Sequence, residues 1–315
     1  MTKILVTGGA GFIGSHLCDA LLARGDIVIC VDNFNDYYDP TVKEKNVEHN
    51  LEQREFRLWK ADILDMKKMR EIFEFEKPEK IVHLAARAGV RPSIQEAALY
   101  EEVNIKGTLN MLELAQEFGV SNFVFGSSSS VYGKNKKIPF SEKDRVDWPM
   151  SPYAATKRAG ELLSYVYNQL YGLSVVCLRF FTVYGPRGRP DMMPLKFTQK
   201  IDQGEELTVF GTGEDMKRDY TYVGDIVKGI VAALDKEWDF EIINLGNSTP
   251  LSLNELIGYL EQILGKKAKV KNCPIPVTEV PITYADKVKA EELLGFKINT
   301  DPREGMKKMV AWYKR

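Results

Sequence analysis

Short apolar, β-branched runs recur through the first 180 residues: Ile4–Thr7, Ile27–Val31, Phe56–Lys60, Ile81–Leu84, Phe123–Phe125 and Ser174–Leu178. Helix-like stretches lie between most of them, as at Ser15–Ala23, Met66–Phe75, Tyr100–Phe118 and Tyr153–Tyr171. This alternation predicts an α/β fold, a doubly wound, mostly parallel sheet of the Rossmann kind with helices on both faces. Ligands on such sheets bind outside the carboxyl ends of the strands, so the residues that leave each run deserve the closest reading. The regular pattern breaks up from about residue 181. Val223–Leu234 and Ile242–Leu245 read as a helix and a strand that return to the first domain. The predicted organisation is a first domain over 1–180 plus about 223–245. A smaller, discontinuous C-terminal α/β domain covers 181–222 and 246–315.

Composition narrows the function classes. A chain of 315 residues with 44% hydrophobic and 28% charged positions has enough apolar content for a sizeable core. Its formal net charge of −1 argues against a nucleic-acid or membrane-surface protein, both of which usually carry basic excess. No apolar run approaches the length of a membrane span. Cys18, Cys30 and Cys177 sit within apolar stretches, far apart and without paired spacing, as buried thiols of a reducing compartment do. A strand that begins at Lys3 leaves no room for a signal peptide, so the expected location is cytoplasmic.

Chemistry collects at the strand ends. The first is followed by Thr7-Gly-Gly-Ala-Gly-Phe-Ile-Gly14, which opens a helix. In that context Gly8 permits the tight turn, Gly11 lets a pyrophosphate approach the backbone, and Gly14 lets helix and sheet pack closely. Asp32 ends the second run eighteen residues past Gly14, placed to accept hydrogen bonds from a ribose 2′-hydroxyl and to repel a 2′-phosphate. NAD is therefore favoured over NADP. Phe12 and Ile13 in the turn, with Asn33 and Asn35 just past Asp32, join the candidate cofactor contacts. So do Asp62-Ile63 after the third run and Leu84-Ala85-Ala86 at the end of the fourth. Asp62 reads equally well as a helix cap for Leu64–Phe75 and as an adenine contact.

Two further stretches complete the set. Gly126-Ser-Ser-Ser-Ser-Val-Tyr-Gly133 carries four hydroxyls past the fifth run. Ser151-Pro-Tyr-Ala-Ala-Thr-Lys157 reads as a capped helix start with proline in the first turn. Tyr153 and Lys157 are four apart and share one helix face. An ammonium beside a phenol favours the phenolate, which can take a proton from an alcohol at neutral pH.

The glycine turn at 8–14, Asp32, the serine run before Val131-Tyr-Gly133, and Tyr153-x-x-x-Lys157 together resemble the extended short-chain dehydrogenase/reductase family. Over nearly its whole length the chain is similar to that family's NAD-dependent nucleotide-sugar epimerases and dehydratases. The resemblance implies Ser128 as the third catalytic hydroxyl, Asn104 near the nicotinamide and Phe180 near the cofactor. Within the family, Asp32-Asn-Phe-Asn-Asp-Tyr-Tyr-Asp-Pro40, Ala85-Ala-Arg-Ala-Gly-Val-Arg-Pro-Ser93 and Arg179-Phe-Phe-Thr-Val-Tyr-Gly-Pro-Arg-Gly-Arg-Pro-Asp191 look most like UDP-glucuronate 4-epimerases.

Local chemistry agrees with that likeness. Dehydratases of the family carry an Asp-Glu pair where this chain has Ser129-Ser130, and decarboxylases carry a glutamate at the place of Ser130. Neutral hydroxyls donate hydrogen bonds to a sugar carboxylate without repelling it. Ser128, Ser129, Ser130 and Thr182 are the candidates for that grip. Family position adds Met192 and Phe210 near the uracil, Arg218 on the diphosphate and Asp286 in a Tyr-Ala-Asp motif; Arg87, Arg91, Arg187 and Arg189 stay open as further contacts, with Arg189 the best of them. Before that motif the chain departs from its relatives. Pro276-Val-Thr-Glu-Val-Pro281 has Glu279 for the usual aspartate, lacks the glycine and holds no arginine. The implied activity is 4-epimerisation of UDP-glucuronate to UDP-galacturonate, with tightly bound NAD regenerated each turnover and no metal. The alternatives are a 4-epimerase for uncharged UDP-hexoses and a UDP-glucuronate decarboxylase. A homodimer through the helices at Tyr100–Phe118 and Tyr153–Tyr171 is the family expectation.

Overall fold

The computed structural model describes residues 1–275 and 280–315, which fall into two compact units. The first comprises Met1–Gly133, Arg145–Arg179 and Val227–Ile243, and the second Lys134–Asp144, Phe180–Ile226 and Asn244–Arg315. In chain order the first sheet begins with β1 (Lys3–Thr7), β2 (Ile27–Asp32), β3 (Phe56–Lys60), β4 (Lys80–His83), β5 (Asn122–Ser128) and β6 (Val175–Phe180). Its helices are α1 (Phe12–Ala23), α2 (Pro40–Val47), α3 (Met66–Glu76), α4 (Val90–Gln95), α5 (Ala97–Glu101), α6 (Gly107–Glu117) and α7 (Pro152–Tyr171). Then follow β7 (Thr182–Tyr184), α8 (Met193–Gln203), β8 (Glu206–Phe210), β9 (Lys217–Tyr222), α9 (Val223–Leu234) and β10 (Phe240–Leu245). The chain ends with β11 (Pro250–Ser252), α10 (Leu253–Leu264), β12 (Lys269–Cys273), β13 (Ile282–Thr283), α11 (Val288–Leu294) and α12 (Pro302–Tyr313).

The seven-stranded sheet runs β10-β6-β5-β4-β1-β2-β3, and its pairs from β3 to β5 are parallel. Ile4, Leu5 and Val6 of β1 and Val28 and Ile29 of β2 are wholly buried, because helices cover both faces of such a sheet. Burying one aliphatic side chain of this kind stabilises the fold by about 1.5–3 kcal/mol. The strand order matters for function. Chain passes from β1 outward to β2 and β3, then returns to β4 on the other side of β1. The connections leaving β1 and β4 therefore diverge, and a crevice opens at their carboxyl ends.

Helix ends follow the sequence chemistry. α7 starts at Pro152, with the Ser151 hydroxyl accepting from the Ala154 amide at 3.1 Å, and stops at Gly172 in the left-handed region. The stretch expected as one helix from Tyr100 to Phe118 is instead α5, a π-helical turn over Glu102–Lys106, and α6. A π turn lets one residue bulge from the helical ladder, and it is a common device at functional sites. Here it carries Asn104.

The second unit packs α8, α10 and α12 with β8 and β9 around Leu195, Phe197, Ile201, Leu207, Leu256 and Met306. β9 is central to its small sheet, flanked by β11 and β13 and paired with β7. α8 begins at Met193, two residues past Asp191, whose carboxylate is engaged by Arg189. α11 begins at Val288, past Ala285, whose amide is taken by the Asp219 carboxylate at 3.0 Å. Glu279 and its neighbours Pro276–Thr278 lie outside the described residues. Among the described residues no helix is long and apolar enough to cross a membrane.

Candidate active site

The turn from β1 to α1 admits no side chain at Gly8 or Gly14. Gly8 has a φ of +69°, and a Cβ there would sit 2.8 Å from the Ala85 backbone nitrogen. A Cβ on Gly14 would run into the Gly8 carbonyl. The first turn of α1 carries N–H groups without intrahelical partners, and Gly11 sets no side-chain cap over them. Phe12 and Ile13 begin that turn. A diphosphate suits this helix end.

Asp32 ends β2 and is buried, accepting from the Ala10 amide at 3.2 Å and the Phe34 amide at 2.9 Å. Burial pushes its carboxyl up, while Lys43 and the two amides pull it down. The Lys43 ammonium, 3.8 Å away and itself buried, donates to the backbone and side-chain oxygens of Asn35. Nothing in the sequence pattern singled out Lys43, because a lysine in a polar helix reads as a solvated surface charge.

Asp62 accepts from Asn33 Nδ2 at 2.8 Å and from the Leu64 amide at 2.9 Å. It is a turn residue at a strand end and not the cap of α3, a place taken by Asp65. Ile63 packs against Gly107 at the start of α6. Leu84, Ala85 and Ala86 leave β4 beside the glycine turn, and the Ala85 amide donates to Thr7 Oγ1 at 3.2 Å.

Tyr153 and Lys157 stand one turn apart in α7. Tyr153 is half-buried, its ring edge-on to Tyr100 at a centroid distance of 6.2 Å. Lys157 is buried and donates to the Gly126 carbonyl at 2.7 Å, which ties α7 to the serine strand. Burial pulls its ammonium down to about 8, and the Glu161 carboxylate one turn further on opposes that shift. At neutral pH the group remains mostly charged, as a partner for a phenolate requires.

β5 continues through Ser128, and only Ser129–Tyr132 form the turn. Ser127 does not face the strand-end crevice; its buried hydroxyl donates to Glu161 Oε1 at 2.6 Å. Arg179 closes the same network with two bonds to Glu161, at 2.8 and 2.9 Å, and lies over the Tyr132 ring. Burial raises the Glu161 carboxyl, but the Arg179 bonds, the Ser127 hydroxyl and Arg158 lower it further, leaving it ionised. Ser128 Oγ accepts from the Ser130 amide at 3.2 Å and closes the turn. The Ser130 hydroxyl and Arg87 Nε are buried with no hydrogen-bond partner among the described residues. A buried donor left unsatisfied costs about 1–3 kcal/mol, so each is a place where a ligand's acceptor would be stabilising.

Asn104, buried in the π turn, exchanges hydrogen bonds with the Arg87 backbone at 2.8 and 3.0 Å and donates to Thr156 Oγ1 at 3.0 Å. Thr156 in turn donates to the Tyr153 carbonyl at 2.9 Å. Asn104 is thus tied to α7. Phe180 is the last residue of β6.

The second unit holds the remaining candidates. Thr182 opens β7, Met192 caps α8, and Phe210 ends β8. Arg189 forms a two-pronged pair with Asp191, at 2.9 and 2.7 Å. Arg218 Nη1 donates to the Lys217 and Pro281 carbonyls, both at 3.0 Å. Next to it, Asp219 is wholly buried and collects the Asn247, Ser248 and Ala285 amides with the Thr221 hydroxyl. Asp286 accepts from the Val288 amide at 3.1 Å and gives its own amide to the Phe140 carbonyl at 2.8 Å. No group of three or more His, Cys, Asp or Glu able to hold a metal exists among the described residues.

Comparison with known proteins agrees with this geometry. The model of the NAD dependent epimerase/dehydratase family matches residues 4–246. The UDP-glucuronate 4-epimerase of Thermodesulfobacterium geofontis is 44% identical over 315 residues, covering 100% of this chain and 97% of that protein. Among solved structures, UDP-glucuronic acid 4-epimerase from Bacillus cereus in complex with UDP-glucuronic acid and NAD superposes with a TM-score of 0.92. It is 36% identical and covers 99% of each chain. UDP-glucose 4-epimerase from Thermotoga maritima with UDP-glucose gives a TM-score of 0.90 at 34% identity, over 99% of this chain and 98% of that one.

Proposed function

We infer the function from the premise that this chain belongs to the NAD dependent epimerase/dehydratase family. It is an NAD-dependent UDP-sugar 4-epimerase, and its reaction is the interconversion of UDP-glucuronate and UDP-galacturonate. The observation that carries this reading is the Tyr153–Lys157 pair tied to the serine strand, in a chain similar over its full length to UDP-glucuronate 4-epimerases.

The residues present fit a dinucleotide: a glycine cradle that any Cβ would fill, an uncapped helix start, and a buried carboxylate at the end of β2. Gly8, Gly11 and Gly14 would hold the diphosphate, Asp32 the adenine ribose, and Asn104 and Lys157 the nicotinamide end. NAD, when bound, supplies a hydride acceptor for C4 and the same hydride for its return. Tyr153 as phenolate takes the proton from the C4 hydroxyl and gives it back after the keto sugar has turned its other face. Ser128 hydrogen-bonds O4. Lys157 holds the charge that keeps Tyr153 ionised. Met192 and Phe210 serve the uracil, Arg189 and Arg218 the diphosphate, and Asp286 the nucleotide. The hydroxyls of Ser128, Ser129, Ser130 and Thr182 grip the carboxylate; the buried, unpartnered Ser130 hydroxyl supports that role. The grip matters because a 4-keto glucuronate is a β-keto acid that loses CO2 unless the ketone is reduced first.

Asp32→Ser tests the cofactor assignment. Losing a hydrogen bond to a charged group weakens NAD binding about tenfold or more. With the carboxylate gone and Lys43 left in place, NADP binds as well as NAD, measured by titration of cofactor-stripped protein. Unchanged discrimination against NADP removes Asp32 from the ribose. The substrate assignment is tested by comparing kcat/KM for UDP-glucuronate, UDP-glucose and UDP-N-acetylglucosamine. Hydroxyls arranged for a carboxylate disfavour its absence, so UDP-glucuronate is preferred at least about tenfold. Equal or faster turnover of UDP-glucose assigns the enzyme to uncharged hexoses.

The enzyme acts as a cytoplasmic homodimer. Support for the compartment comes from the buried free thiols Cys18, Cys30 and Cys177. Support for the dimer comes from α7, where Leu162, Val166 and Leu170 are 50%, 43% and 67% exposed at helical spacing. Val166→Asp would set two carboxylates against each other across a two-fold axis. Light scattering then reads a monomer where the parent protein reads a dimer; an unchanged mass in the variant excludes this face.

A further inference from the structure

We infer that His83, which has no assigned part in the reaction, is the positioning residue that ties the glycine-turn strand to the Asn104 turn, with its single ring proton on Nε2. His83 ends β4 and is 1% exposed. Its Nδ1 lies 2.7 Å from Thr7 Oγ1 and its Nε2 lies 3.1 Å from Thr108 Oγ1. Both hydroxyls are buried.

The direction of these bonds is fixed by what each hydroxyl does elsewhere. Thr108 donates its only hydroxyl proton to the Asn104 carbonyl at 2.6 Å. Toward His83 it can only accept, so Nε2 carries the proton. Nδ1 then presents a lone pair, which Thr7 fills with its own O–H. Thr7 Oγ1 still accepts from the Ala85 amide at 3.2 Å. The result is one directed chain from Ala85 through Thr7, His83 and Thr108 to Asn104. Asn104 extends it through Thr156 to the Tyr153 carbonyl.

A second ring proton has no acceptor in this arrangement and meets a like charge. His83 stacks on Phe125 at 6.0 Å, and the Lys157 ammonium lies over the same ring at 5.1 Å. Burial, reinforced by Lys157 on α7, pushes the imidazole down to about 3. The elements packed against the ring otherwise present neutral groups: Thr7 from β1, Thr108 from α6, and Phe123 and Phe125 from β5. A neutral imidazole here joins β1, β4 and the π turn beneath the cofactor cradle without adding charge beside the catalytic lysine. A phenylalanine would fill the same space but break the chain in the middle.

The test has two readouts, and it rests on the NAD reading only in the second. Nitrogen-15 histidine spectra of the protein, with His83→Gln identifying the His83 signals beside those of His16 and His49, read the tautomer directly. The expected result is a protonated Nε2 and a bare Nδ1, unchanged from pH 8 to pH 5. A proton on Nδ1, or titration near pH 6.5, overturns the inference. NAD retained per chain and NAD affinity are then compared in the parent protein, His83→Phe, His83→Gln and Thr108→Val. His83→Phe and Thr108→Val each leave a buried partner unsatisfied and weaken binding roughly tenfold or more. His83→Gln can still donate to Thr108 and stays within about threefold, with kcat at saturating NAD equally close to the parent value. Parent-like NAD affinity in folded His83→Phe or Thr108→Val overturns the positioning role. Failure of the parent protein itself to bind NAD refutes the cofactor reading instead and leaves the tautomer result standing.

Discussion

Tyr153→Phe lowers kcat for UDP-glucuronate by roughly 10²–10⁴-fold, the usual contribution of a positioned proton acceptor. This corresponds to about 3–5 kcal/mol of transition-state stabilisation. The ring keeps its volume and its edge-on contact with Tyr100, and the Thr156 bond is to the backbone carbonyl, so both of these contacts survive the change. NAD content and the dissociation constant for UDP-glucuronate should therefore stay within a few-fold of the parent values. That split, chemistry lost and binding kept, separates a proton carrier from a packing residue. Equal losses in binding and turnover would assign Tyr153 to the substrate pocket rather than to the proton.

Lys157→Met is the second large effect, and its signature lies in the pH profile. The ammonium is buried and its carbonyl partner is Gly126, so methionine leaves that carbonyl unsatisfied and costs about 1–3 kcal/mol of stability. The kinetic change has a definite sign. A positive charge favours the phenolate, so without it Tyr153 needs a higher pH to ionise, and the acid limb of kcat moves up toward the ordinary phenol value near 10. The parent enzyme should also show an alkaline limb, because burial pulls Lys157 down to about 8 and its charge is lost as the pH rises past that value. Methionine cannot titrate, so this limb disappears in the variant. Stopped assays across pH 6–10 read both limbs. A profile that keeps its shape and falls uniformly would place Lys157 in a structural role.

How much of this was legible in the sequence depended on whether a residue's partner lay nearby in the chain. The strands from β1 to β4 follow the apolar runs to within a residue at each end, since burial on both faces demands an unbroken run. Ser151 and Pro152 are a local pattern, and α7 starts where they place it. β5 ran longer than its apolar core because Ser127 is satisfied by Glu161, thirty-four residues away, a partner no local rule supplies. The π turn at Glu102–Lys106 was invisible because one extra residue barely alters the hydrophobic period over so short a stretch. Lys43, Glu161, Arg179 and Asp219 look like surface charges until the fold buries them: Lys43 against Asp32 and Asn35, Glu161 against Arg179, and Asp219 against backbone amides. His83 sat inside an apolar run and carried no signal beyond its burial. The pattern reads groups whose partners are near in the chain, whereas the buried groups that hold the elements in place are set by contacts distant in sequence.

The central claim, that hydride leaves C4 of UDP-glucuronate and returns to the same carbon with the carboxylate intact, is tested by UDP-glucuronate carrying deuterium at C4. The account predicts UDP-galacturonate with the deuterium still at C4, no released CO2 and no added cofactor consumed. Deuterium lost to solvent, or CO2 released with a UDP-pentose as product, would contradict it.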